Sequence, residues 1–335
     1  MRALIWSVSM LSVLVASPAF AENHGKPIFE TRLRYEFVDQ AGFAEDANAL
    51  TLRARLGYET PAYHGFKALI EGEGVVAIDE DYNSTTNGKG AFPIVADPEI
   101  AEINRAQISW TGDKGAVIVG RQRLILDNAR FIGNSGFRQN EQTFDAVRGD
   151  WKPMKSVTLT YAYIAKVRRV FGDDSPQGEW RGDSHILEAT GATAWGQWSV
   201  YGHALDFDNA PTQSLAEAGA RFSGAHKLSG DFSATYEVEY ARQWDYGSNP
   251  LSFDVDYVDV AAGLKTKRGG FSLGVERLDG DGARGFQTPL ATLHAFQGWA
   301  DVFLTTPADG IRDIQLTANA TSTGAHPIKL QTALH

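Results

Sequence analysis

The stretch FETRLRYEF, residues 29–37, alternates between two kinds of side chain without interruption. Mostly apolar side chains occupy its odd positions, and charged side chains occupy positions 30, 32, 34 and 36. Since successive side chains of a β-strand point to opposite faces, the pattern predicts a strand with one apolar and one charged face. Such strands occur in soluble antiparallel sheets with one solvated face, and in membrane barrels with lipid outside and water inside.

The first 21 residues predict an exported protein. Arg2 provides a basic start, and the apolar run at 3–16 is shorter than the roughly 20 residues of a spanning helix. The small-residue sequence AFA at 19–21 then predicts cleavage, so we expect a signal peptide over 1–21 and a mature domain over 22–335. The absence of cysteine excludes a disulfide framework and thiolate chemistry.

Alternating segments recur along the rest of the chain, which favours the barrel. They include ALTLRARLGYE (49–59), SVTLTYAYIAK (156–166) and TYEVEYARQ (235–243). Each has about ten residues, the length with which a tilted strand crosses a bilayer. In GAVIVGRQR (115–123) both faces are apolar at first, so the pattern does not assign them.

The connections between these segments alternate between short and long. Short breaks such as TGDKG (111–115) alternate with long irregular stretches such as 78–100 and 124–140. Large aromatic residues lie near the short breaks, as in an interfacial girdle: Tyr58, Trp110, Trp151, Trp195 and Trp198. The sequence therefore predicts an all-β, antiparallel transmembrane β-barrel in the cell outer membrane of a Gram-negative envelope, with short periplasmic turns and long extracellular loops.

The alternation predicts about fifteen strands between residue 28 and the end of the sequence. Bacterial single-chain barrels have an even number of strands, and the sequence ends at His335 without an aromatic residue. We therefore expect about three further C-terminal strands beyond this sequence. In this chain alone, the first strand (near 28–38) and the last (near 328–335) should each have one unpaired edge.

Four segments carry a resemblance to a known family. They are VGRQRLILDNARFIGNSGFRQNEQTFDAVRGDW (119–151), NALTLRARLGYETPAYHGFKALIEGEGV (48–75), YNSTTNGKGAFPIVADPEIAEINRAQI (82–108) and TPLATLHAFQGWADVFLTTPADGIRD (288–313). These segments resemble the alginate-export family of outer-membrane proteins. The resemblance implies a monomeric barrel of about eighteen strands, narrowed by inward loops, whose arginines select an anionic uronate polymer. The C-terminus departs from that pattern.

Basic side chains on the charged faces are the candidate pore-lining residues, because lumenal Arg and Lys select anions and the guanidinium fork matches a carboxylate. They are Arg32, Arg34, Arg53, Arg55, Arg105, Arg121, Arg123, Arg130, Arg138, Arg148 and Lys166. As an alternative, these residues pair with the acidic residues of the same segments and brace the wall. The net charge of −10 argues against a nucleic-acid partner.

Three functions remain open at this point. The main prediction is a passive outer-membrane pore for an anionic polysaccharide or oligouronate, in contact with outer-membrane lipid and acting as a monomer. The alternative is a porin for small anionic or aromatic-acid solutes, and a barrel enzyme or adhesin is a further possibility. We predict no enzyme and no cofactor or metal, because the sequence has no nucleophile elbow and its histidines lack metal-ligand spacing. LDGDGARG (278–285) is predicted to be a turn rather than a calcium loop.

Overall fold

The computed structural model describes residues 3–8, 12–13, 24–297, 303–322 and 329–334, and the predicted cleavage sequence at 19–21 lies outside them. The described residues form one antiparallel sheet of seventeen strands. The strands are β1 (Ala3–Val8), β2 (Ser12–Val13), β3 (Lys26–Gln40), β4 (Ala47–Glu59), β5 (Phe66–Asp81), β6 (Ile100–Gly112), β7 (Gly115–Gln122), β8 (Thr143–Met154), β9 (Val157–Arg168), β10 (Glu179–Ala192), β11 (Gln197–Leu205), β12 (Leu215–Lys227), β13 (Ser233–Trp244), β14 (Asp254–Thr266), β15 (Gly269–Leu278), β16 (Ile311–Thr321) and β17 (Lys329–Leu334). Two short 3-10 helices cover Pro211–Gln213 and Leu293–Ala295. Within the described residues, no helix has both the length and the apolar character needed to span a membrane.

Consecutive strands from β3 to β17 pair as antiparallel neighbours, so the sheet is a series of hairpins. The first long strand, β3, is also paired on its other side. Ala3–Val8 aligns with residues 35–40, and Ser12–Val13 aligns with 31–32. The expectation of an unpaired edge on the first strand is therefore wrong, and the count of about fifteen strands out of eighteen is not supported. The expectation for the edge missed β1 and β2, which lie in the segment predicted as a leader.

The two faces of the strands follow the predicted alternation. On β4, Leu52 and Leu56 are exposed on the outside, with Leu56 at 62% exposure, whereas Arg53 and Arg55 are buried inside at 3% and 4%. The segment whose faces the pattern did not assign, β7, places Val117 and Val119 on the outer surface. Apolar side chains thus cover the outside of the sheet, whereas the interior holds polar and charged side chains together with an apolar cluster that includes Phe131, Phe144 and Ile164.

The turns explain how the hairpins close at one end. Between β4 and β5, His64 and Gly65 both have positive φ (49° and 85°), and Tyr63 and Phe66 exchange backbone hydrogen bonds of 2.9 Å. This is the two-residue turn whose twist suits a hairpin. Trp110, Trp151 and Trp195 lie near the short turns and are exposed on the outside. The long connections, including 82–99, 123–142 and 279–310, all lie at the other end.

The face assignment predicts opposite outcomes for two adjacent substitutions on β15. Leu273 is exposed on the apolar outer surface, whereas Ser272 lines an open cavity of the interior. Leu273→Arg should destabilise the barrel in lipid by about 2–4 kcal/mol, because a charge would face hydrocarbon. Ser272→Arg should have little effect, since its side chain meets water. Urea titration of the heat-modifiable band of vesicle-refolded protein measures both. Equal destabilisation by the two variants would contradict the assignment.

Candidate functional site

One long connection folds into the interior of the sheet. Residues 123–142 between β7 and β8, called the inner loop below, are mostly buried although they belong to no strand. The inner loop contacts β3–β6 on one side and β11, β12 and β15 on the other. It therefore crosses the interior from wall to wall.

Arginine side chains of β3 and β4 hold the C-terminal half of the inner loop through its backbone. Arg32 donates to the carbonyl oxygens of Gly136, Phe137 and Arg138 at 3.0, 2.8 and 3.2 Å. On β4, Arg53 donates to the carbonyl oxygen of Gln139 at 2.9 Å. A loop buried inside a sheet needs partners for its polar backbone, and these guanidinium groups satisfy part of that need.

Glu141 also attaches the inner loop to the same wall, through Asn104 and Arg55. Its carboxylate accepts hydrogen bonds of 2.7 Å from Arg123 Nε, Asn104 Nδ2 and Asn134 Nδ2, and Arg55 Nη2 lies 3.3 Å away. Burial alone would raise the pKa of Glu141. The hydrogen bond from Arg123 and the positive charges of Arg55 and Arg123 outweigh burial and lower the pKa to about 2.

The opposite wall holds the N-terminal half of the inner loop. Asp127 accepts from Arg221 on β12 and from Ser199 on β11. Arg130, 2% exposed, donates to Glu276 on β15 at 2.7 Å. Asp127 and Ala129 have φ of 46° and 63°, a left-handed backbone that is uncommon outside glycine, so the attachments keep this half in an unfavourable conformation.

Most of the predicted pore-lining residues do reach the interior. Those inside the sheet or in the inner loop are Arg32, Arg34, Arg53, Arg55, Arg105, Arg123, Arg130, Arg138 and Arg148. All of them except Arg32 pair with a carboxylate; Arg34, for example, pairs with Asp97 and Glu36. The alternative in which these arginines brace the wall is thus what the geometry favours, and the binding role predicted for them remains a prediction.

The structure corrects the pore-lining prediction for Arg121 and Lys166, because both side chains lie on the outer face of the sheet. Arg121 continues the outward face of Val119 and stands opposite Asp145 of β8, to which it is paired at 2.8 Å. On β9, the register shifts between Ile164 and Lys166, so one extra residue turns Lys166 outward, opposite Asp145. A strict two-residue period cannot anticipate such a bulge.

The inner face of the later strands carries carboxylates rather than arginines. Its acidic residues are Glu188, Glu217, Glu237, Glu239, Asp259 and Glu276. Arg221 and the inner-loop residue Arg130 compensate only part of this charge. The expected arginine-lined interior is therefore confined to the side formed by β3–β8.

Above the inner loop lies a cavity of about 640 Å³, called the vestibule below. Its lining combines four rings (Phe43, Phe137, Phe171 and His294) with two guanidinium groups (Arg138 and Arg169), and no carboxylate is among its described residues. His294 stacks on Phe137, which joins the 279–310 connection to the inner loop. Arg138 is paired with Glu36, so Arg169 supplies the uncompensated positive charge of this otherwise largely apolar described lining.

Arg169 and these rings were not among the predicted site residues. The only sequence signal was their position in long connections, for example FGDDSPQGEW at 171–180. The vestibule gathers residues from the connections at 41–46, 82–99, 123–142, 169–178 and 279–310. No local pattern predicts that these five segments meet.

Solved structures show the same fold. OccAB2 of Acinetobacter baumannii aligns with a TM-score of 0.69 at 17% identity, over 91% of this chain and 78% of that chain. OpdL of Pseudomonas aeruginosa gives 0.65 at 14% identity over 88% and 76%, and P. aeruginosa OpdK with vanillate gives 0.62 at 11% over 82% and 72%. No protein-family model matches the sequence, and no curated protein matches it significantly.

These similarities confirm the predicted barrel fold, and one of the matching structures, P. aeruginosa OpdK, is described as an outer membrane protein. They overturn the resemblance to the alginate-export family, because the matching structures are Occ and Opd proteins. Every transmembrane barrel alternates apolar and polar residues, so alternation does not distinguish one barrel family from another.

Glu141 provides a test of the attachment of the inner loop. Glu141→Gln should destabilise the docked position of the inner loop by about 3 kcal/mol, because Arg55 and Arg123 would lose the carboxylate that they share. We expect a larger and noisier single-channel conductance in planar bilayers. Glu45→Gln, an exposed carboxylate between β3 and β4, is the matched control and should leave the conductance unchanged. Identical traces for the two variants would show that Glu141 does not hold the loop.

The lowered pKa of Glu141 also predicts a pH dependence. A carboxylate whose folded pKa lies below its usual 4.5 stabilises the folded arrangement fully above pH 4.5. That contribution is lost as the pH falls toward about 2. Single-channel conductance should therefore stay constant from pH 7 to about 5 and rise only in more acidic solution. A rise that is complete above pH 5 would exclude Glu141 as its cause.

Proposed function

We propose that the chain is an outer-membrane channel for small anionic solutes, with aromatic acids among them. The observation that carries the proposal is the vestibule, where two arginines and four rings line one cavity and no carboxylate is among the described lining residues. Positive charge attracts an anion and apolar rings accommodate an aromatic body, so this lining suits an aromatic carboxylate.

The inner loop supports a small solute rather than a polymer. It is tied to both walls through Glu141 and Arg130, so it divides the interior below the vestibule. A polymer would have to thread past both attachments, whereas a small solute fits within about 640 Å³. The polysaccharide cargo that the alginate-export resemblance implied has no support from the matching structures.

The matching structures add support of a second kind. P. aeruginosa OpdK is described with vanillate, an aromatic carboxylate. At 11% identity this shows the fold alone for the present chain, and the chemistry of the vestibule provides the link to the ligand class. A transport role also agrees with the prediction that the chain is not an enzyme. We propose that it acts as a monomer, because one chain supplies the whole vestibule lining.

Reversal potentials test this function. The refolded protein in a planar bilayer separates two concentrations of sodium benzoate, and the sign of the zero-current potential reports which ion crosses more readily. We expect the zero-current potential to have the sign that shows faster permeation of benzoate than of sodium. An anion can enter the vestibule, whereas sodium is repelled there. A potential of the opposite sign would mean that the acidic wall controls selectivity and would overturn the proposal. Sodium benzenesulfonate, whose charge does not depend on pH, is the control for uptake of uncharged benzoic acid through the lipid.

A further inference from the structure

We propose that Arg169 forms, with the rings of the vestibule, a capture site for planar aromatic carboxylates, in preference to aliphatic ones. The inference deepens the proposed function and rests on it, since it identifies the residue that selects the solute at the outer mouth of the channel.

Arg169 is held in a fixed position although it lies in a connection. It follows the last residue of β9, and its backbone N–H donates to the carbonyl oxygen of Gly178 at 2.8 Å. Its guanidinium carbon lies 3.8 Å from the ring centroid of Trp180 and 4.7 Å from that of Phe171. Rings against the guanidinium restrict its motion, so a ligand that binds its edge loses little additional entropy.

Most of the hydrogen-bonding capacity of Arg169 is unused. Its Nη1 donates to the carbonyl oxygen of Gln177 at 3.2 Å, and within the described part of the chain no carboxylate pairs with it. The preceding residue, Arg168, pairs with Asp145, Asp173 and Glu179. Burial lowers the pKa of Arg169 to about 10, so the group still carries its charge at neutral pH. A half-buried guanidinium that no described carboxylate neutralises attracts an anion.

The geometry around Arg169 selects the body of the ligand as well as its charge. With aromatic rings against the guanidinium, its edge remains for hydrogen bonds, and a carboxylate that meets the edge with both oxygens lies in the guanidinium plane. The ligand body then extends into a cavity lined by Phe43, Phe137 and His294. A flat ring can stack there, whereas a saturated ring of similar size can only make nonpolar contact.

Equilibrium binding to the full refolded chain in detergent tests the site. Titration calorimetry with benzoate, cyclohexanecarboxylate and benzyl alcohol separates the contribution of the ring from that of the charge. We expect benzoate to bind about three- to tenfold more tightly than cyclohexanecarboxylate, and benzyl alcohol to bind at least tenfold more weakly than benzoate. Equal affinity for the two carboxylates would overturn the aromatic preference.

Two variants and one control assign the binding to Arg169. R169Q should weaken benzoate binding at least tenfold. R169K keeps the positive charge but lacks the two-pronged guanidinium, so its benzoate affinity should lie between those of R169Q and the parent. R181Q removes an exposed arginine nearby, on the outer face of β10, and should bind like the parent. A heat-shifted gel band establishes folding, and R169K provides the comparison if R169Q does not refold. Unchanged benzoate affinity in the folded Arg169 variant would overturn the site.

The two proposals fail in different ways. If the parent channel conducts benzoate but its benzoate affinity is independent of Arg169, the capture site is wrong and the proposed function stands. If the parent binds benzoate through Arg169 but the reversal potential has the sign for sodium, the proposed function is wrong and the site stands as a binding site only. Loss of binding in R181Q equal to that in R169Q would show a general charge effect and would overturn the site.

Discussion

Buried pairs between guanidinium and carboxylate groups hold the inner loop across the barrel, and the rest of the interior depends on them. A charge inside a sheet that excludes bulk water needs a partner, because the cost of leaving it unpaired exceeds what local packing can offset. Glu141 meets Arg55 on one wall, and Arg130 meets Glu276 on the other. The charges of both walls are therefore compensated in part by the loop that crosses between them.

The vestibule is a consequence of that attachment. Its floor consists of inner-loop residues, among them Ser135, Phe137 and Gln142. Gln142 donates to the carbonyl oxygens of Gly133 and Leu290, so the same residue closes the loop and docks the 279–310 connection onto it. The cavity is therefore shaped by connections that pack on each other, and the strands serve mainly to bring the ends of these connections close together.

The sequence predicted the faces of the strands where the two-residue period is uninterrupted. Leu52 and Arg53 on β4 are the clearest example, because burial separates them as the alternation requires. The period failed at Lys166, where a bulge adds one residue. At Arg121 the period holds, but the apolar run before it left the faces of the strand unassigned. It could not predict the vestibule at all. Arg169 meets Trp180 at the start of β10, directly after its own connection, but its cavity depends on four other connections whose packing is not a local property.

The unequal pairing of the arginines also bears on transport. A site in a channel must bind its solute well enough to attract it and weakly enough to release it. An arginine such as Arg55, already close to Glu73 and Glu141, offers a passing carboxylate little, because the anion would have to displace a group held in place by the fold. Arg169, with which no described carboxylate pairs, offers an edge at the outer mouth, where release needs no rearrangement of the wall. Arginines of the described residues thus differ in role according to their partners: Arg55 and Arg130 fix the inner loop, whereas we propose that Arg169 receives a ligand.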